Sequence, residues 1–202
     1  MCCTYTYARP LYQRKECIAI MERATAGDTG MPIHVRVPPR TLLVLCGPAG
    51  SGKSTFATKR FGPTIIVSSD HCRELICDDA SNQQVNRDTF DLFYYIISKR
   101  LYLGRFTVAD STALYPEARR RLREIARRYG FLACLLIFDI SQETCAQWNE
   151  LRERKVEAKV LPYHAALLQQ TLRDAPNEGW DQIHVLGERD MDTIIEIQKW
   201  PL

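Results

Sequence analysis

A glycine-rich stretch that ends in Lys and Ser is the first group of residues whose types and spacing could do chemistry. Residues 47–54 read GPAGSGKS and match the pattern GxxxxGK[ST] at every fixed position. In this pattern the backbone N–H groups surround phosphate oxygens, the Lys reaches the β- and γ-phosphates, and the hydroxyl can ligate Mg²⁺. The predicted nucleotide-binding residues are Gly47, Gly50, Ser51, Gly52, Lys53, Ser54 and Thr55.

A glycine loop that merely turns a strand into a helix is the alternative interpretation of residues 47–54. The apolar run TLLVLC precedes the loop and a helical pattern follows it, which is the context that phosphate binding requires. The sequence therefore favours a P-loop that binds ATP.

Two carboxylates follow later apolar segments, Asp70 after TIIVSS and Asp110 after FTVA. The carboxyl ends of parallel strands converge on the ligand crevice of an open α/β sheet. Asp70 is therefore a candidate general base for an acceptor hydroxyl, and Asp110 is a candidate to hold Mg²⁺ through water beside Ser54. Asp139 ends another apolar segment and competes with Asp110, because position at a strand end does not separate the two.

Arg73 lies one helical turn after Asp70, so the two side chains would face the same way and Arg73 could bind an acceptor phosphate. A helix cap with a surface ion pair is the alternative. In LRERKV, the cations Arg152, Arg154 and Lys155 could close over a triphosphate, and a solvated charged face is the alternative.

The segment 117–128 carries six arginines. One helix does not direct six side chains into one groove, so a solvated face is the favoured interpretation, with Arg119 expected to point inward.

Five apolar segments bounded by turn residues are predicted to be buried strands: 41–46, 64–70, 106–110, 131–140 and 182–187. Helical patterns lie between them, over 87–103 and 116–129, after a capping Ser141, and from about residue 162. This alternation predicts an α/β fold of the P-loop NTPase type, a three-layer sandwich with a central parallel sheet flanked by helices and a small helical lid.

With 202 residues, of which 46% are hydrophobic, the chain is long enough for one packed core. Residues 1–31 are expected to form an N-terminal extension, either disordered or with a short helix near residues 11–23, and residues 32–202 the P-loop domain with a lid at about 142–172. The eight cysteines include no CxxC pair and are expected to be reduced, as in a cytoplasmic protein. The net charge of +3 permits an anionic partner, and no apolar run suggests a membrane.

Several motifs together resemble a known family. GPAGSGKSTFA, VSSDHCREL, DDASNQQVNRDTFD, IISKRLYLGRFTVADST and the LRERKV lid are similar to the kinase module of bacterial polynucleotide kinase-phosphatases, which belong with the P-loop polynucleotide 5′-kinases and act in RNA repair. The resemblance covers roughly residues 33–197. It implies transfer of the ATP γ-phosphate to the 5′-OH end of RNA or DNA, with separate ligase or phosphatase partners.

The resemblance also implies roles for individual residues. Lys53, Ser54 and Thr55 would bind ATP and Mg²⁺, and Asp70 would be the general base. Arg73 and Gln83 would hold the terminal phosphodiester of the acceptor, while Arg152 and Arg154 would contact the ATP phosphates. The chain departs from the family pattern in two places: the lid arginines are closer together, and Ala113 stands where an Asn often follows the Thr.

Two other functions fit the same motifs. A P-loop kinase for a sugar, an antibiotic or a nucleotide sugar would use the same loop and Asp70, without a flanking phosphate for Arg73 and Gln83. A non-catalytic ATP-binding module would keep the loop and not need Asp70.

Overall fold

The structure is a computed structural model that describes residues 21–23, 33–152, 154–157 and 159–198. Its strands are β1 (Met21–Arg23), β2 (His34–Val37), β3 (Thr41–Cys46), β4 (Ile66–Ser68), β5 (Thr107–Asp110), β6 (Leu132–Phe138), β7 (Gln182–Leu186) and β8 (Ile194–Ile197). Its α-helices are α1 (Lys53–Arg60), α2 (Ser69–Cys77), α3 (Asn86–Tyr102), α4 (Pro116–Arg128), α5 (Gln142–Glu150) and α6 (Val160–Asp174).

The main sheet has six strands in the order β1-β7-β6-β3-β5-β4, and every neighbouring pair is parallel. A second, two-stranded sheet pairs β2 with β8, also in parallel. In the main sheet Asp110 is in register with Leu45 on one side and with Ser68 on the other. The carboxyl ends of β3, β5 and β4 therefore bring the glycine loop, Asp110 and the start of α2 to one edge.

Side chains of β3 alternate between two hydrophobic cores, because successive residues of a strand point to opposite faces of the sheet. Leu42 and Val44 pack into the core that includes residues of α3 and α4, such as Ile97 and Leu122. Leu43 and Leu45 pack into the second core, which includes Phe56 of α1. All six residues of β3 are buried, as expected of a central strand covered on both sides.

The prediction of an α/β sandwich with a central parallel sheet is confirmed, and all five predicted strands are present. The second of them ends earlier than predicted, at Ser68, because the Ser68 side chain accepts a hydrogen bond from the His71 N–H at 3.5 Å and caps α2. Asp70 therefore lies in the first turn of a helix and not at the tip of a strand.

The strands β1, β2 and β8 were not predicted. Met21–Arg23 pair with β7, so these three residues are not helical, and the rest of the predicted extension lies outside the described residues. Cys46, Cys72, Cys77, Cys134 and Cys145 are free thiols. Within the described ranges, no helix combines the length and the apolar character needed to cross a membrane.

Candidate active site

The glycine loop joins β3 to α1 and packs against α5. Gly50 and Gly52 have φ values of 84° and 80°, in the left-handed region that favours glycine. A Cβ on Gly50 would lie 2.7 Å from the backbone oxygen of Cys145 in α5, and one on Gly52 would lie 2.8 Å from Cε of Met191. The backbone conformation therefore favours glycine at both positions, and at Gly50 the close backbone of Cys145 excludes a side chain as well.

Lys53 lies inside the loop, with only 7% of the residue exposed. Its Nζ donates to the Pro48 carbonyl oxygen at 2.6 Å and to Ser51 Oγ at 3.1 Å. Burial lowers the pKa of Lys53, and the negative charge of Asp110 opposes that change. The ammonium group is thus held within the concave side of the loop.

Asp110 is 5% exposed, and its carboxylate lies beside the Ser54 hydroxyl. Burial raises the pKa of Asp110, while the Lys53 charge and the Ser54 hydroxyl oppose the rise. The Asp139 N–H donates to the Leu186 carbonyl oxygen at 2.8 Å, at the neighbouring strand. The structure therefore places Asp110 beside the P-loop hydroxyl, which favours it over Asp139 as the candidate to hold Mg²⁺.

Asp70 is bonded to two guanidinium groups. Its Oδ1 accepts from Arg73 Nη1 at 2.8 Å, and its Oδ2 accepts from Arg154 Nη2. The Asp70 side chain is 52% exposed. Its charge is also one of the influences that raise the pKa of Asp110, although burial of Asp110 is the larger cause. The two carboxylates therefore act on the same region at the edge of the sheet.

Arg73 is the centre of a hydrogen-bond network that begins at Asp70. Its side chain is 5% exposed, and it donates to the Ala80 carbonyl oxygen at 3.0 Å and to Asn86 Oδ1 at 2.9 Å. Asn86 Nδ2 in turn donates to Gln83 Oε1 at 3.0 Å, and Gln83 is exposed. The predicted residues Asp70, Arg73 and Gln83 are thus connected, through an Asn86 that the sequence analysis missed.

The predicted lid contains α5, α6 and the segment between them. Helix α6 contacts the glycine loop, and Arg154 of the intervening segment contacts Asp70. The N–H of Ala49 donates to His164 Nδ1 of α6 at 3.1 Å, and burial together with the Lys53 charge lowers the pKa of His164. Arg154 contacts Asp70, whereas the charge of Arg152 adds to the effect of burial in lowering the pKa of Lys53. The two predicted lid arginines therefore act on different partners.

The turn after α5 is held by Asn149, which is 3% exposed. Its Nδ2 donates to the Val156 carbonyl oxygen at 3.0 Å, and its Oδ1 accepts from the Val156 N–H at 2.9 Å. No sequence signal identified Asn149 or His164, because both partners are backbone groups of distant or irregular segments.

The arginine-rich helix α4 contributes to internal structure. Arg119 is fully buried and its Nε donates to both carboxylate oxygens of Glu178 at 3.0 Å. Its Nη1 donates to the Leu114 carbonyl oxygen at 2.7 Å and to Thr171 Oγ1 at 3.0 Å. Arg119 points inward as predicted, and it joins α4 to α6 and to the segment that follows α6.

Residues 42–181 match the model of a protein family described as AAA domain. No curated protein matches the chain significantly. Three solved structures share its fold. A chain of the Pnkp1/Rnl/Hen1 RNA repair complex aligns with a TM-score of 0.58 and 18% identity, over 68% of this chain and 47% of that one.

The second structure is a putative kinase from Chloroflexus aurantiacus, with a TM-score of 0.54 and 13% identity over 76% of this chain and 87% of that one. The third belongs to the PezAT toxin–antitoxin system of Streptococcus pneumoniae, with a TM-score of 0.53 and 14% identity over 87% and 72%. The match to the family model and the shared fold confirm the prediction of an α/β domain of the P-loop type.

Proposed function

The chain belongs to the AAA domain family, and we propose that it is an ATP-dependent polynucleotide 5′-hydroxyl kinase. The observation that carries the proposal is the position of Asp70, a half-exposed carboxylate bonded to Arg73 and Arg154 at the same sheet edge as Lys53 and Asp110. The fold shared with a chain of an RNA repair complex adds support, although the present chain spans only 47% of that protein.

ATP is the proposed phosphate donor. The backbone N–H groups of the loop and the start of α1 would surround the β- and γ-phosphates, and Lys53 would leave the Pro48 oxygen to bind them. The Arg152 charge, which already acts on Lys53, would stabilise the charge of the transferring phosphoryl group.

The hydroxyl of Ser54 and the carboxylate of Asp110 fit a Mg²⁺ ion, because both offer hard oxygen donors and they already contact one another. We propose that Ser54 binds the ion directly and that Asp110 binds it through water. When bound, Mg²⁺ would neutralise negative charge on the β- and γ-phosphate oxygens.

Asp70 would accept the proton of the 5′-hydroxyl as its oxygen bonds to the γ-phosphorus and the bond to the ADP oxygen breaks. The Arg154 hydrogen bond occupies one of the positions at Oδ2 from which Asp70 could accept that proton, so we propose that the acceptor hydroxyl displaces Arg154. Gln83 and Arg73 are the proposed contacts of the terminal phosphodiester. Arg73 already donates to Asp70, Ala80 and Asn86, and its Nε has no hydrogen-bond partner, so it has a donor to offer that phosphate.

The burial of Arg73 and its hydrogen bonds to Asp70, Ala80 and Asn86 also favour a second candidate, a kinase for a small molecule without a flanking phosphate. Such an enzyme would use Arg73 only to orient Asp70. If the polynucleotide is the substrate, we propose that ligase or phosphatase steps are carried out by separate partners in the cytoplasm.

The test uses ATP labelled at the γ-phosphate, Mg²⁺ and a 5′-OH oligonucleotide, with wild type beside Lys53→Ala and Asp70→Asn. We expect label at the 5′ end in wild type only. Asp70→Asn should lower kcat by about 10²- to 10⁴-fold, the usual contribution of a general base, and leave ATP affinity unchanged.

Wild-type activity in Asp70→Asn would refute the assignment of the base. Label on sugars or nucleosides but not on the oligonucleotide would select the second candidate. ATP binding without transfer to any acceptor would identify a non-catalytic module.

A further inference from the structure

A groove with a volume of about 520 Å³ runs between α3 and α4, away from the candidate active site. Its walls combine aromatic and cationic side chains. The aromatic and cationic residues include Tyr94, Tyr95, Lys99, Arg120, Arg121 and Arg128, and the carboxylates of Asp91, Glu117 and Glu124 also line the groove. The functions considered above use none of these residues.

The aromatic rings of this α3–α4 groove already contact cations. Cζ of Arg121 lies 4.2 Å from the centroid of the Tyr94 ring, and Nζ of Lys99 lies 5.2 Å from that of Tyr95. Tyr95 is 59% exposed, and Tyr102, at the end of α3, is 71% exposed. Exposed aromatic faces beside cations are the combination on which single-stranded nucleic acid stacks without a sequence preference.

The charges of the groove are unevenly paired. Arg121 lies 3.6 Å from Asp91, and Arg120 lies 2.7 Å from Glu124. Within the part of the chain that the structure describes, Lys99 and Arg128 form no salt bridge. Both lie in the last turns of their helices, whereas the lining carboxylate Glu117 lies in the first turn of α4. The four cations of the groove exceed its three carboxylates by one charge, and the cations without a salt bridge are at the end farthest from Asn86.

The groove continues from the network around Arg73. Asn86, which bonds Arg73, is the first residue of α3, and the groove begins at Asp91. At about 1.5 Å per residue this separation is about 7.5 Å along the helix, and Lys99 is about 12 Å farther. A strand whose 5′ end lies at Asp70 can therefore follow α3 toward the unpaired cations.

We propose that the α3–α4 groove binds the single strand downstream of the 5′-OH end, with bases stacked on Tyr95 and Tyr102 and phosphates paired with Lys99 and Arg128. This inference rests on the proposed polynucleotide kinase function. It adds that the enzyme prefers acceptors with a single-stranded 5′ end several nucleotides long.

The experiment compares a 5′-OH dinucleotide with a 5′-OH 12-mer as acceptors, and measures binding of the labelled 12-mer by fluorescence anisotropy over a range of salt. Tyr95→Ala should raise KM for the 12-mer about fivefold, the lower end of the stacking contribution for one base, and leave KM for the dinucleotide unchanged. Tyr95→Phe, which keeps the ring, should behave as wild type.

The double variant Lys99→Gln/Arg128→Gln should weaken binding of the 12-mer and reduce the slope of log K against log salt by about 1.4, from about 0.7 per phosphate contact. The matched control is Lys59→Gln/Arg173→Gln, which removes the same charge from exposed positions outside the groove and should leave the slope as in wild type.

If the groove variants bind and phosphorylate the 12-mer as wild type does, the groove proposal is wrong while the kinase proposal stands. If wild type phosphorylates neither acceptor, the kinase proposal fails, and the salt slopes of the variants still decide the groove. Loss of a dimer in Tyr95→Ala with unchanged oligonucleotide binding would assign the groove to a second copy of the chain.

Discussion

Two of the arginine–carboxylate networks in this molecule differ in how far the carboxylate is buried. Arg119 and Glu178 are bonded between α4 and the segment after α6, with side-chain exposures of 0% and 13%. Asp70 is bonded to Arg73 and Arg154 at the edge of the sheet, and its side chain is 52% exposed.

The two networks pair the same kinds of charged group, and the exposure of the carboxylate decides whether its partners can be exchanged. Inside the protein, Arg119 has hydrogen bonds to a carboxylate, a hydroxyl and backbone oxygens, so its groups are satisfied without any ligand. At the edge, one oxygen of Asp70 is bonded to Arg154 from the lid, a contact that an incoming hydroxyl can replace. The first network is suited to stability and the second to exchange of partners.

The largest expected effect is on the buried network. Arg119→Ala should lower the free energy of unfolding by about 3–5 kcal/mol, because it removes the main partner of a largely buried Glu178 carboxylate and leaves it only Trp180 and Arg123. Urea unfolding followed by circular dichroism measures this loss. In the neighbouring Arg120→Ala, which removes an exposed pair with Glu124, the change should be about 0.5 kcal/mol. Equal losses in the two variants would contradict the comparison.

Asn86→Ala should have an intermediate effect. It leaves Nη2 of the buried Arg73 without a partner, which should cost about 1–2 kcal/mol of unfolding free energy. It should also raise KM for the 5′-OH acceptor without changing the affinity for ATP, since no loop residue contacts Asn86 among the described hydrogen bonds. Gln84→Ala, at a neighbouring exposed position, is the control. An equal rise in KM for the 5′-OH acceptor in Gln84→Ala would contradict a specific role for Asn86.

Among the variants within the two networks, Arg154→Ala is expected to have the smallest effect on stability. A pair between side chains that are 43% and 52% exposed is screened by solvent, so the loss should be at most about 1 kcal/mol and should shrink as salt increases. Thermal unfolding at low and high NaCl measures both quantities. A loss as large as that of Arg119→Ala would show that the edge network is structural.

The glycine loop and the elements around it could be predicted because the sequence patterns that indicate them are local. Three signals follow one another in the sequence: the apolar run of β3, the glycine loop and the start of α1. Asp110 is the last residue of β5, which is the strand next to β3 in the sheet. The family model, which spans residues 42–181, covers the same part of the chain.

The residues that the sequence did not reveal depend on distant partners. Asn86 and His164 are identified by their hydrogen bonds with Arg73 and with the Ala49 N–H. Glu178 is identified by its hydrogen bonds with Arg119. Pairing of β2 with β8 joins segments at opposite ends of the described chain, a contact that no local periodicity encodes. The end of β4 was misplaced because a Ser that continues a strand and a Ser that caps a helix look alike in an apolar run.

The double engagement of Asp70 bears on what happens before an acceptor arrives. The two guanidinium groups donate to both oxygens of this carboxylate and leave fewer lone-pair sites from which it could activate a bystander water. For the proposed kinase, ATP waiting in the loop would then be protected from futile hydrolysis. Only an acceptor able to displace Arg154 would release the base.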